Sequence, residues 1–144
     1  MTSNVLETEA EITELLAATK RIAVLGIKTE AQADQAAFYV PKYLVDNGFD
    51  VVPVPVYYPE ATEILGRPVA RQVADVAPPV DMVNVFRRSK DLAAHLDDIL
   101  AAKPKSVWLQ LGIKDAAFAE ALGKAGIKVV QNHCLMVELR ARRT

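Results

Sequence analysis

Residues 22–26 read IAVLG, four apolar residues closed by a glycine, and the same kind of run returns along the whole chain. Five such runs begin at Ile22, Val51, Asp81, Val107 and Ile127, spaced 20 to 30 residues apart. Each has the length and β-branched content of a strand buried on both faces, and most of the segments between them are long enough for a crossover helix. The pattern predicts an α/β fold: a Rossmann-like, doubly wound, mainly parallel five-stranded sheet with helices on both faces. Sheets of this kind bind ligands beyond the carboxyl ends of their strands, where the winding direction reverses. The residues just after the runs are therefore the ones to read for function.

The intervening sequence supports this plan. Thr8 and Glu11 have capping-box spacing, and Ile12, Leu15, Leu16 and Thr19 form one face, which predicts a helix over 8–18. After Gly26 a polar loop, KTEAQADQ (28–35), leads to a helix over 38–46 closed by Asn47-Gly48, with Pro41 expected near its first turn. The second run, VVPVPV (51–56), carries Pro53 and Pro55, so regular pairing is expected only at its beginning. Residues 57–79 are the least regular part, with a short helix near 70–76. The third run, DMVNVF (81–86), leads into Arg87-Arg88-Ser89, with Ser89 as cap of a helix carrying Leu92, Leu96, Ile99 and Leu100. The fourth, VWLQL (107–111), stops at Gly112. Phe118, Ala119 and Leu122 mark a helix broken by Gly123 and Gly126. The fifth, IKVV (127–130), precedes QNHC and a last helical segment, CLMVELRAR (134–142).

Composition bounds the function. A chain of 144 residues that is 51% hydrophobic and 24% charged is expected to form one domain over 1–144. A net charge of -1 gives no reason to expect nucleic acid or a membrane surface as partner. The lone Cys134 excludes an internal disulfide and a multi-cysteine metal site. The opening residues lack the features of a secretory signal, and no run approaches membrane-spanning length, so a cytoplasmic location is expected.

The first strand-to-helix turn is where nucleotide-binding sheets hold phosphate. The dinucleotide fingerprint needs glycine at 26, 28 and 31, the last replaceable by alanine, and the chain has Gly26, Lys28 and Ala31. Lys28 places a side chain where a pyrophosphate would approach the backbone. The acid expected at the end of the second strand is also missing, since Asp50 stands at its start. Both features disfavour NAD.

The segments IAVLG (22–26), YVPKYLVDNGFDVVPV (39–54), PVDMVNVFRRS (79–89), VWLQLGI (107–113) and CLMVE (134–138) together resemble the small stand-alone CoA-binding proteins, which are related to the N-terminal domain of the succinyl-CoA synthetase alpha subunit. The resemblance runs from about Ile12 to Arg140. It implies a Rossmann-like domain that holds CoA or acyl-CoA at the carboxyl edge of the sheet, with no established reaction for the stand-alone members. Carried over position by position, it places Gly26, Ile27, Lys28 and Thr29 on the loop that receives phosphates, and Val54, Pro55 and Tyr57 on the loop beside the adenosine. Val85, Phe86 and Arg87 follow the third strand with Arg88 alongside, and Gly112 and Ile113 lie near the pantetheine arm. Guanidinium and ammonium groups suit the phosphates, and apolar walls suit adenine and pantetheine. Two departures stand out. Pro55-Val56 replaces the usual asparagine-proline pair, and the first loop offers Gln32, Ala33 and Asp34 in place of Pro-Ser-Arg.

Other residues have simpler readings. Trp108 and Phe118 are expected in the core, and His95 is expected to be structural or at the surface. His133 and Cys134 are adjacent, so their side chains diverge and no third orienting group is evident. No catalytic residue and no metal site is read. Three functions stay open: a CoA- or acyl-CoA-binding protein without catalysis, a small NAD(P)-dependent oxidoreductase, and a partner-binding regulatory protein with a degenerate nucleotide pocket. Self-association through the apolar last helix is also left open.

Overall fold

The computed structural model describes residues 4–142. Helix α1 (Glu9–Ala17) leads to strand β1 (Arg21–Leu25), helix α2 (Ala36–Asp46) and strand β2 (Asp50–Val54). A short hairpin, β3 (Glu63–Ile64) and β4 (Arg67–Pro68), comes next. Then follow β5 (Met82–Val85), α3 (Leu96–Ala102), β6 (Ser106–Leu109), α4 (Ala116–Lys124), β7 (Lys128–Val130) and α5 (Leu135–Ala141). The five long strands form one parallel sheet in the order β2-β1-β5-β6-β7. The chain goes from β1 outward to β2 and then returns to the other side of β1 as β5. The winding direction therefore reverses between β1 and β5.

Alternation along the strands feeds two cores. Ile22, Val24, Met82, Trp108 and Val130 face α1, α2 and α5, meeting Ile12, Leu16, Phe38, Leu44 and Leu135. Ala23, Leu25, Val83, Val85, Val107 and Leu109 face the other way, toward Leu92, Ile99, Phe118 and Leu122. The strands have two dry faces, which is why their sequences read as continuous apolar runs. Among the described residues no helix is long and apolar enough to cross a membrane.

Several local expectations hold and others are corrected. The capping box of α1 is formed: the Thr8 hydroxyl accepts from the Glu11 N–H at 3.2 Å, and the Glu11 carboxylate accepts from the Thr8 N–H at 3.1 Å. Pairing of β2 reaches Val54 and includes Pro53 opposite Val24. Pro53 is tolerated because β2 is an edge strand and this residue's backbone faces outward, its carbonyl accepting from the Ala70 N–H at 2.9 Å. Pro41 sits at the sixth position of α2, not in its first turn. Residues 89–95 form a 3-10 helix before α3, and Ser89 is not its cap; the Ser89 hydroxyl accepts from the Lys114 N–H at 3.1 Å. The helix expected near 70–76 is a single 3-10 turn, Val73–Asp75. Gly123 lies inside α4, where a Cβ would fall 2.5 Å from the Asn4 side chain.

The two ends of the described chain lie together. The Asn4 side chain donates to the carbonyls of Ala119 at 2.9 Å and Ile127 at 3.2 Å. Val5 bridges Val129 in parallel on the open side of β7. Arg142 reaches Glu9 at 2.8 Å and the Thr13 hydroxyl at 2.8 Å.

At the amino edge of the sheet, Asp81 accepts from the N–H groups of Lys20 and Arg21, each at 2.9 Å. Partial burial opposes its ionisation, but those two backbone donors and Lys105 outweigh it and hold the carboxyl below its usual value. A depressed carboxylate stabilises the fold above its unfolded pKa, and that contribution is lost as pH falls through the folded value. Asp81→Asn should therefore weaken the protein by about 1 kcal/mol near neutral pH. The difference from wild type should shrink as the pH falls below the ordinary aspartate range. Urea denaturation across this range checks it, and a gap that stays constant with pH refutes it.

Candidate functional site

The reversal point between β1 and β5 is closed tightly. Gly26 has φ +87°, and a Cβ built there would lie 2.4 Å from the Phe86 carbonyl oxygen and 3.2 Å from Arg87 Cδ. Its N–H donates to Val54 O at 2.9 Å, and the Phe86 N–H donates to Leu25 O at 2.9 Å. Glycine is thus required here so that three strand ends can converge and the Arg87 stem can cross over them.

Next to this junction opens a cleft of about 580 Å³. One wall is the loop after β2, Pro55 to Pro59, and the other is formed by Ala94, His95 and Asp98 from the segment after β5, with Arg71 and Gln72 closing the side. Tyr57 is 60% exposed and stands edge-on to Tyr58, with ring centroids 6.4 Å apart. The Arg87 guanidinium lies 5.5 Å from the Tyr57 ring centroid and donates from Nε to His95 Nε2 at 3.2 Å. The same guanidinium, through hydrogen bonding to the Tyr57 hydroxyl and through its charge, holds that hydroxyl below the ordinary phenol range. Arg71 staples the loop by donating to the carbonyls of Tyr58, Pro59 and Ala61. Arg88 points to solvent, with its side chain 71% exposed, and pairs with Asp91 at 3.0 Å, which lowers the Asp91 pKa.

The first loop is folded on itself. The Lys28 N–H donates to the Ala37 carbonyl at 3.1 Å, a carbonyl left without a helical donor because residue 41 is a proline. The Thr29 N–H and hydroxyl both donate to the Gln32 side chain, at 3.1 and 2.8 Å. Glu30 accepts from the Leu65 N–H at 2.8 Å and so pins the β3–β4 hairpin beside the loop. The Lys28 ammonium contacts the Gln35 side chain. In Pro41→Ala a new helical N–H competes for Ala37 O. Hydrogen exchange at the Lys28 amide should speed up roughly tenfold while the fold keeps its stability. Unchanged protection of that amide would show that the proline does not shape the loop.

Beyond β6, the Gly112 N–H donates to the Asn132 side chain at 2.7 Å, and the Asn132 N–H donates to the Ile113 carbonyl at 3.0 Å. Below them Gln110 is buried, accepting from Asn84 Nδ2 at 3.1 Å and from the Leu135 N–H at 2.9 Å. This pair fixes the start of α5 against the sheet. The His133 ring meets the Glu138 carboxylate at 3.1 Å, while Cys134 precedes the first residue of α5.

The edge thus gathers Gly26, Lys28, Thr29, Pro55, Tyr57, Phe86, Arg87, Arg88, Gly112 and Ile113 at the strand ends, as the winding rule anticipates. The side chains of Ile27, Val54 and Val85 are instead buried in the cores. Arg71, Gln72, His95 and Asp98 line the cleft, and the sequence gives no signal for this. His95 was expected to be structural or at the surface, and it stands beside Arg87 in the cleft wall.

The CoA binding domain family profile matches residues 20–140. The Bacillus subtilis (strain 168) protein YneT is 32% identical over 129 residues, which cover 90% of this chain and 92% of that one. A solved Thermus thermophilus protein superimposes with TM-score 0.84 at 39% identity, covering 94% of this chain and 98% of that one. A Pyrococcus horikoshii protein gives TM-score 0.82 at 29% identity, covering 94% and 92%. A dinucleotide-forming acetyl-coenzyme A synthetase of Ca. Korarchaeum cryptofilum shares the fold, with TM-score 0.66 at 21% identity over 81% of this chain and 26% of that one. With its parallel sheet, its crevice at the reversal point and a family match running from residue 20 to residue 140, the chain belongs to the CoA binding domain family.

Proposed function

We propose that this protein binds CoA or acyl-CoA without catalysing a reaction on it, with the ligand lying along the carboxyl edge of the sheet. The observation that carries this reading is the cleft of about 580 Å³ beside the β1–β5 junction, with an apolar and aromatic wall from Pro55 to Pro59, polar groups from Arg71, Gln72, His95 and Asp98, and Arg87 at its border. An adenosine suits such walls, since pockets of this size bury rings between apolar surfaces and orient them with a few polar groups. The phosphates lie toward Arg87, Lys28 and the first loop, and the pantetheine runs past Gly112 and Ile113. NAD fits less well. Lys28 occupies the second glycine position, and Asp50 is held at the far end of β2 by Arg21 at 3.1 Å and Arg67 at 2.9 Å.

A second reading, a partner-binding regulator whose nucleotide pocket has degenerated, is favoured by one observation. The N–H groups of Lys28 and Thr29 already have acceptors within the chain, which removes donors a phosphate would use. Isothermal titration with CoA, acetyl-CoA and NADH separates the readings. Saturable CoA binding below millimolar concentration, with none for NADH, is the expected result. Silence with both CoA compounds overturns the proposal, and saturable NADH binding alone replaces it with the oxidoreductase.

A further inference from the structure

We infer that His95 is a positioning residue which aims Arg87 at the phosphates of the ligand, and that it does so only as the neutral imidazole. The inference rests on the CoA-binding reading above and adds to it a residue role and a pH dependence. Arg87 is an unusual arginine for a strand end: its side chain is only 17% exposed and its stem crosses the Gly26 backbone. One edge of the guanidinium is fixed by the bond from Nε to His95 Nε2 at 3.2 Å. The terminal nitrogen Nη2 meets Asp91 only at 3.9 Å, so this end of the guanidinium is the part that a phosphate can take over. Fixing Nε while leaving the fork available is how a bidentate anion contact is organised in advance.

The bond sets the state of the histidine. Arginine cannot give up its proton, so His95 Nε2 must supply a lone pair and the ring proton must sit on Nδ1. The surroundings favour this form: burial disfavours the imidazolium first, and the Arg87 charge adds to it, against a smaller opposing pull from Asp98 and Asp91. Asp98 is itself occupied, accepting from the N–H groups of Val73 at 2.8 Å and Ala74 at 2.9 Å. The other titratable or charged residues lining the cleft are Arg71 at its side, whose donors serve loop carbonyls, and Tyr57 and Tyr58 on the opposite wall. When His95 gains a proton, Nε2 becomes a donor and two cations face each other. The bond then breaks and Arg87 loses its aim.

The test is titration of CoA into wild type, His95→Gln and His95→Leu at about pH 7.5 and about pH 5, with the same pair of variants in an Arg87→Ala background. A thermal melt of each variant confirms that it is folded. Gln offers an acceptor that does not titrate, so comparing wild type with it at each pH removes the contribution of the ligand's own phosphate, whose pKa is about 6. At the higher pH, His95→Leu should weaken binding about tenfold and His95→Gln by about threefold or less. At the lower pH, wild type should fall toward His95→Leu while His95→Gln holds its ground relative to both. In the Arg87→Ala background the histidine changes should have no further effect. If CoA binds wild type but His95→Leu binds equally well, or wild type and His95→Gln share one pH profile, the role of His95 is refuted alone. If CoA does not bind wild type at all, the function proposed above falls and this role falls with it.

Discussion

Alanine at position 26 should cost about 3 kcal/mol and lower the melting temperature by about 10 °C. Two effects add. The residue has φ +87°, where any side chain is strained, and the new methyl would sit 2.4 Å from the Phe86 carbonyl oxygen. Relief by movement is blocked, because Gly26 donates to Val54 and Phe86 donates to Leu25 on either side of the contact. Gly112→Ala is the matched control: its φ is +85°, yet nothing lies within 4 Å of the added Cβ. It should lose only about 1 kcal/mol, the backbone part of the penalty. Denaturant unfolding of both variants decides the matter. Equal losses would mean that the close approach at the β1–β5 junction contributes nothing.

Removing the Arg87 side chain should weaken CoA binding by about 10- to 100-fold, the effect of losing a charge-assisted contact to a phosphate. Arg88→Ala should change it by about threefold or less, because that side chain is 71% exposed, bound to Asp91, and screened by solvent. The two arginines are neighbours in sequence and carry the same charge, so the contrast isolates orientation from net charge. Titration of CoA into both variants measures it. Comparable losses would place the phosphates outside the reach of the held guanidinium and return the site to a general electrostatic attraction.

The sheet was legible because each of its strands is covered on both faces, which leaves runs of apolar residues that no other element would need. The start of α1 was legible because Thr8 and Glu11 carry out a local, self-contained exchange of hydrogen bonds. Local rules misled where distant chain answers the need. Pro41 sits in the middle of α2 because Lys28 supplies a donor to the carbonyl that the proline leaves free. Pro53 pairs normally because its outward-facing side meets Ala70 and not another sheet strand. The β3–β4 hairpin is too short to leave a periodic pattern.

The candidate site divides in the same way. Positions at strand ends could be read from spacing, because a parallel sheet delivers every such position to one edge. Arg71 and Asp98 could not, since they reach the cleft from a loop and a helix whose placement depends on long-range packing. At Gly26 the absent side chain makes room for Phe86 and Arg87 of the same chain, a packing need that sequence spacing does not reveal.

The meeting of Asn4, Val5 and Glu9 with residues 119–142 bears on how the protein is made. Asn4 and Glu9 are synthesised well before the groups they dock against, which follow 115 and 133 residues later. Ile12 and Leu16 can settle early on β1 and α2, but the contacts of Asn4, Val5 and Glu9 with residues 119–142 wait until that later stretch has been made. Closure of this ring of contacts, spanning more than a hundred residues of intervening chain, is therefore a late event in maturation.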